Sequence, residues 1–251
     1  KVKKLVVAAG KANNKGQLGI AHTRWAPHGK PSVANAHPHT SDDEIAIVHN
    51  GIIENFEALK TKLIKAGYKF RTETDSETIA HLIHQARKQG KVSLLDAVKI
   101  TIKKLHGACG ICVIDKNQPD QIIVARSSSP LVIGVGIGEN FIASDPLALG
   151  QVTDRFIYLE EGDVARVGLK KIEIWHGARK VKRPIITVQH TASEVEKGDY
   201  SHFMLKEIHE QPQVIHDTLA GRVSDGKVLE EAFGIKAKAI FDKIKNVQIV
   251  A

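Results

Sequence analysis

The side chains best equipped for chemistry cluster in two stretches, His22-Thr-Arg-Trp-Ala-Pro-His-Gly-Lys-Pro-Ser32 and Ile45-Ala-Ile-Val-His-Asn-Gly-Ile-Ile53. Hydrogen-bonding residues set into apolar backbone are costly unless something uses them. The ligand these groups suit is an amino acid. Arg24 carries a planar fork that matches a carboxylate with two parallel hydrogen bonds, which lysine cannot copy. A surface arginine at a strand end has the same spelling. Trp25 beside it would wall a pocket or fill a core. Asn50-Gly51 between apolar runs ordinarily signals a hairpin, yet an amide and a glycine N–H aimed at one point also make an oxyanion hole. Asp75 falls at an expected helix start, where the helix dipole favours a carboxylate in any case and where it would also anchor an ammonium. His22, His28, His37, His39 and His49 form a histidine-rich region, and His37-Pro-His39 invites a metal. No carboxylate or cysteine stands at a convincing ligand spacing around them, so no metal is expected.

The elements that must position these residues follow from periodicity and turn formers. Residues 19–24 and 44–48 read as strands, with an irregular polar loop over 29–40. Residues 54–66 read as a helix with Phe56, Leu59 and Leu63 on one face, stopped by Gly67; a short strand is expected over 68–71. Thr74-Asp-Ser-Glu77 has the capping-box spelling ahead of an apolar stripe of Ile79, Leu82, Ile83 and Ala86, closed by Gly90. Ser93 opens a third helix that Gly107 ends. Strands then dominate from 110 to 175, separated by turn signals such as Gly138-Glu-Asn140 and Glu161-Gly-Asp163. Strands, two consecutive helices, then many strands make an α+β plan and not a βαβ repeat, and no G-x-G-x-x-G opens a helix. Residues 182–200 read as a linker, 201–220 as a long helix and 228–245 as a further helical stripe. Both ends read as cut, residues 246–251 being an apolar strand with nothing after it to pair with.

The 251 residues suffice for one large domain or a domain and a half. The net charge of +8 is spread over amphipathic segments without interleaved aromatics, so no specific nucleic-acid binding is expected. No apolar run reaches the roughly 18 residues of a membrane span. Cys109 and Cys112 spell C-x-x-C within an expected strand. Residues three apart on a strand face opposite sides, so these thiols should share neither a metal nor a disulfide, and a reducing, cytoplasmic setting fits them.

Thr23-Arg-Trp-Ala-Pro-His-Gly29, Asn35-Ala-His-Pro-His39, Val48-His-Asn-Gly-Ile-Ile-Glu-Asn55 and Glu73-Thr-Asp-Ser-Glu77 resemble, in order and spacing, the glutaminase domain of the glucosamine-6-phosphate synthases, a class II glutamine amidotransferase. Ser127-Ser-Ser-Pro-Leu-Val-Ile133, Phe141-Ile-Ala-Ser-Asp145 and His202-Phe-Met-Leu-Lys-Glu-Ile-His-Glu-Gln-Pro212 extend the resemblance over nearly the whole chain. The last motif points to these synthases and away from the related amidotransferases of purine or asparagine synthesis.

The resemblance implies an N-terminal-nucleophile fold, an αββα sandwich of two antiparallel sheets followed by linker helices. Residues 1–190 would be the glutaminase domain without its N-terminal segment, 191–246 a linker with helices, and 247–251 the first strand of a sugar isomerase domain. It implies glutamine as substrate, fructose 6-phosphate as acceptor in that further domain, no cofactor, and homodimerisation through the same half. The implied roles are Asn50 and Gly51 as catalytic oxyanion donors, Arg24 on the substrate α-carboxylate, Asp75 on the α-ammonium, and Trp25 and His28 shaping the pocket. Members of the family attack the glutamine amide with an N-terminal cysteine. This chain starts at Lys1 instead, several tens of residues into the pattern, so the chain as it stands is expected to be inactive. Pro27 stands where the family usually has threonine, which removes a hydroxyl and a backbone donor. A non-catalytic amino-acid-binding or scaffolding module is the alternative, with a histidine-based metal hydrolase behind it.

Overall fold

The computed structural model describes residues 7–10, 16–24, 29–188, 197–224, 226–233 and 237–248. Two compact units divide the chain, Lys1–His190 and Thr191–Ala251.

In the first unit a nine-residue strand holds the centre. β2 (Ile45–Ile53) pairs antiparallel with β1 (His39–Ser41) on one side and β3 (Gly107–Asp115) on the other. β4 (Gln118–Ser127), β8 (Asp163–Gly168), β9 (Ile172–His176) and β10 (Arg179–Val181) extend this to seven strands, in the order β1-β2-β3-β4-β8-β9-β10. A second antiparallel sheet orders β11 (Ile186–Thr187), β7 (Arg155–Tyr158), β5 (Val132–Val135) and β6 (Asn140–Ala143).

Alternation along each strand splits the core in two. Ile45, Ile47, Ile111, Val113, Ile123 and Ala125 face three helices, α1 (Phe56–Lys65), α2 (Ser76–Gly90) and α3 (Leu94–Ile102). Val48, Cys112, Val124 and Ala165 face the small sheet, meeting Ile133, Ile157 and Leu159. Ser93 caps α3 by accepting from the Asp96 N–H at 3.1 Å, a bond that satisfies one of the helix's four orphan donors. The unit is α+β with two stacked antiparallel sheets, as expected. On the far face of the small sheet, the described residues place the 3-10 turn Pro146–Leu149, whose Leu149 lies against Gly134.

Cys109 belongs to the helix-side core and Cys112 to the core between the sheets, both as free thiols. Burial raises both pKa values, that of Cys112 to about 12.

Several expectations fail for local reasons. Residues 19–24 form no strand: Arg24 adopts φ +52°, and its N–H donates to His22 Nδ1 at 2.9 Å instead of to a ladder partner. Residues 68–71 form none either, because the N–H groups of Tyr68 and Arg71 go to the Leu63 carbonyl and the Glu77 carboxylate. Asn50-Gly51 makes no hairpin. β2 and β3 stay paired from Ile45↔Asp115 to Ile53↔Gly107, and Asn50-Gly51 lies in mid-strand.

The second unit contains α4 (Phe203–Leu219), a hairpin of β12 (Val223–Ser224) with β13 (Lys227–Val228), a 3-10 turn (Glu230–Phe233) and α5 (Ala237–Phe241). Among the described residues the helical stripe expected over 228–245 is therefore a strand end, a 3-10 turn and a short helix. Residues 247–248 are irregular, and 249–251 lie outside the described residues. No helix among the described residues is long and apolar enough to cross a membrane.

Candidate functional site

β2 carries site candidates on both faces. His49 points to the helix side, where its Nδ1 lies 2.9 Å from Ser76 Oγ and its Nε2 3.4 Å from the Ala108 carbonyl. Asn50, the next residue, points the other way into a cleft of about 510 Å³ lined also by His22, Thr23, Gly110, Cys112 and Ser144. Its amide makes no hydrogen bond among the described residues and is solvent-exposed, so it is available as a donor. Gly51 follows at φ +136°, and a Cβ there would stand 2.1 Å from the Ala108 oxygen. Only glycine fits where the strand backbone runs that close to β3.

Asp75 stands at the head of α2 and meets β2 from the helix side. Its Oδ2 accepts the Ile53 N–H at 2.8 Å, and its Oδ1 lies 3.3 Å from Ser76 Oγ. It is buried, yet no lysine or arginine among the described residues forms an ion pair with it. A buried carboxylate without a cation is expensive.

Arg24 is held by its loop: its guanidinium donates to the carbonyls of Lys30 (3.3 Å) and Gly29 (3.2 Å). That loop is tied to the segment before α2 by Asn35, which donates to Glu73 Oε2 at 2.9 Å and accepts from the Glu73 N–H at 2.9 Å. The positive charge of Arg24 thus stands near residues 73–75 and helps lower the pKa of Glu73, after the bonds from Asn35 and Lys30.

Neither Arg24 nor Asp75 lines the cleft that holds Asn50; the neighbours His22 and Thr23 do. Asn50 lies on β2 and Asp75 reaches that strand through the Ile53 N–H, whereas Arg24 bonds within its own loop, so the three do not wall one cavity. Trp25 and His28, with Pro27, lie outside the described residues.

Residue types alone did not disclose the network beneath these groups. Ring centroids of His22 and His37 are 4.4 Å apart and those of His37 and His39 4.6 Å apart. His37 Nε2 lies 3.3 Å from Ser76 Oγ, and His39 Nε2 3.2 Å from Thr74 Oγ1. Burial first, then neighbouring histidines and Arg24, lowers His37 to about 3. Burial likewise lowers His39 to about 4, and His22 and His49 are lowered too. These are neutral imidazoles serving as hydrogen-bond partners. Among the described residues no group of three or more His, Cys, Asp or Glu is placed to hold a metal ion. The capping-box spelling is also used differently. Thr74 Oγ1 accepts from the Glu77 N–H at 3.4 Å, but the Glu77 carboxylate reaches back to the N–H groups of Arg71 and Thr72, both at 2.8 Å. His37-Pro-His39 was the signal for this network, legible as a cluster of histidines though not as a hydrogen-bonding one.

A family of glutamine amidotransferase domains matches residues 22–151, which include every candidate above. The glutamine–fructose-6-phosphate aminotransferase (isomerizing) of Pseudomonas putida is 54% identical over 252 residues, covering 100% of this chain and 41% of that protein. The enzyme of the same name from Pseudomonas aeruginosa is 55% identical over 237 residues, covering 94% of this chain and 39% of its own length. The chain therefore spans about two fifths of the curated relatives it matches. Among solved structures, a glutamine phosphoribosylpyrophosphate amidotransferase from B. subtilis superposes with a TM-score of 0.52 at 26% identity, over 62% of this chain and 34% of that one.

Proposed function

The chain belongs to the glutamine amidotransferase family, and we propose that it is the glutamine-hydrolysing part of an aminotransferase that makes glucosamine 6-phosphate from fructose 6-phosphate and glutamine. The observation that carries this reading is 54% identity across the whole chain to an enzyme named for the fructose 6-phosphate reaction. In support, the exposed Asn50 amide and the Gly51 backbone lie on β2, and buried Asp75, which pairs with no lysine or arginine among the described residues, bonds to the Ile53 N–H of the same strand.

In this reading Asp75 takes the α-ammonium of glutamine and Arg24 its α-carboxylate, with Trp25 and His28 shaping that end of the pocket. A thiolate attacks the side-chain amide carbon, and the carbonyl oxygen becomes an oxyanion that accepts from Asn50 and the Gly51 N–H. Collapse expels ammonia, water cleaves the thioester, and glutamate leaves. The nucleophile is neither Cys109 nor Cys112, since burial keeps both protonated. The family pattern supplies it as an N-terminal cysteine ahead of these residues. Residues 1–190 would then be the glutaminase domain, 191–246 the linker, and 247–251 the start of the sugar isomerase half. That half would hold fructose 6-phosphate, receive the ammonia and form the homodimer, all in the cytoplasm.

The test is the full-length protein assayed for glutamate release from glutamine, with and without fructose 6-phosphate. Release that quickens with the sugar phosphate is expected, and none at all overturns the reading. In that protein Asn50→Ala should slow turnover about 100- to 1,000-fold, as loss of one oxyanion donor does. A tenfold effect or less would remove Asn50 from the catalytic machinery.

A further inference from the structure

We propose that a cavity beside α2 is an anion site, which takes the phosphate group of a small phosphate monoester between Lys69, Arg71 and Lys88. It shares no lining residue with the cleft that holds Asn50, and its existence does not depend on the glutaminase reading.

The cavity, of about 470 Å³, lies where the α1–α2 connection, one face of α2 and the start of the β1–β2 turn meet. α2 presents Glu77, His81 and Lys88 to it, at i, i+4 and i+11 and so along one helical face. The connection adds Lys69 and Arg71. Both carboxylates of the lining already have partners. Glu77 accepts from the N–H groups of Arg71 and Thr72, both at 2.8 Å, and from the Thr72 hydroxyl at 2.7 Å. Asp42 Oδ2 stands 3.6 Å from His84 Nε2. The side chains of Lys69, Arg71 and Lys88, by contrast, form no ion pair and no hydrogen bond among the described residues. The lining thus has its negative charge answered and its positive charge unanswered.

The lining holds a second unsatisfied group. His81 is buried, its Nδ1 lies 2.8 Å from Ser41 Oγ, and its ring is held against Tyr68 and Phe70 with centroids 4.9 and 4.7 Å away. Its Nε2 has no hydrogen-bond partner, since Glu77 Oε1 at 3.6 Å is out of range. A buried polar atom left unpaired is costly, and this one belongs to the same cavity as the three unpaired cations. Which anion fits is a matter of charge. A carboxylate offers one charge and two oxygens, too little for three cations. A phosphate monoester carries about −1.5 to −2 at neutral pH on three acceptor oxygens. The Arg71 fork can take two of those oxygens, with Lys69 and Lys88 as point charges on either side. The cavity is larger than a phosphate group, and Thr40 and Gln89 are left to hydrogen-bond a hydroxylated body.

The experiment reads the site locally in the full-length protein. Lysine acetylation is followed peptide by peptide by mass spectrometry in the presence of inorganic phosphate, glycerol 3-phosphate, glycerol, or KCl at matched ionic strength. Both phosphates should slow acetylation of Lys69 and Lys88 about threefold or more, because ammonium groups paired with a bound anion are covered. Lys62 and Lys65, exposed on α1, should react as before. Glycerol and KCl should protect none of them. Arg71→Gln keeps the backbone N–H that Glu77 accepts and should abolish the protection of both lysines, and Lys88→Gln should do the same for Lys69. Stronger protection by glycerol 3-phosphate supports a site that also holds the body of the ester, and equal protection supports one that holds the phosphate group alone. No protection by either phosphate overturns the inference. So does protection that KCl reproduces, or protection that survives Arg71→Gln.

Discussion

Asp163 and Asp75 are sealed from solvent to nearly the same extent, 0% and 3% exposed, and the protein answers their charge in opposite ways. Asp163 is bound on every side. Arg183 donates to both of its oxygens at 2.9 Å, the Glu160 N–H adds a bond at 2.9 Å, and His176 stands 3.3 Å away. Burial alone would raise its pKa, but these donors hold it below the ordinary aspartate value. Asp75 accepts from one backbone N–H, that of Ile53 at 2.8 Å, and from the Ser76 hydroxyl at 3.3 Å, and among the described residues no lysine or arginine pairs with it. A buried carboxylate with its cation in place joins β8 to the irregular segment between β10 and β11 and is structural. One without a cation among the described residues is the carboxylate that the proposed function assigns to the substrate ammonium. Burial and residue type are the same in the two cases, so only the donors around the carboxylate separate them.

The largest effect expected from this contrast is on stability at Asp163. Asp163→Asn should cost about 3–5 kcal/mol, because Arg183 loses its buried partner, and urea unfolding measures it. A cost below about 1 kcal/mol would make that bridge a surface ornament. Next comes the converse at Asp75. Asp75→Asn keeps an acceptor for the Ile53 N–H and should shift the unfolding free energy by less than about 1 kcal/mol. In the full-length enzyme it should raise the KM for glutamine about 30-fold, the value of one charge-assisted hydrogen bond. A stability loss as large as that of Asp163→Asn would erase the contrast.

The smallest effect is in acid. Burial works to raise Glu77, but the His81 imidazole 3.6 Å away and the bonds from Arg71 and Thr72 win and bring it down to about 2 from the ordinary 4.5. A folded pKa below the unfolded one means that the group stabilises the fold above pH 4.5 and loses that contribution as pH falls towards 2. Asp163, lowered as well, adds to the same slope. The urea midpoint should therefore drop between pH 4.5 and 2.5, and Glu77→Gln should flatten part of that drop. An unaltered acid limb in Glu77→Gln would show that its bonds contribute nothing to the fold.

Local pattern made much of the architecture legible. The apolar stripes of α1, α2 and α3, their glycine stops and the Ser93 cap are properties of neighbouring residues, and the structure keeps them. So is the placement of Cys109 and Cys112 on opposite faces, which follows from the two-residue period of a strand. Asn50-Gly51 was ambiguous on the same grounds, since hairpin and mid-strand share its spelling. β3 resolved it, because its backbone passes so close to Gly51 that only a residue without a Cβ can stand there.

By itself, then, the sequence determined the three helices packed on the large sheet and the strands from β2 to β9, because these depend on residue type and short-range spacing. Tertiary structure alone decided that Asp75 is buried with no lysine or arginine partner among the described residues, and that the scattered histidines include a neutral hydrogen-bonded group. Those outcomes depend on donors and acceptors brought together from residues 22 to 108, and on burial that no single segment can provide.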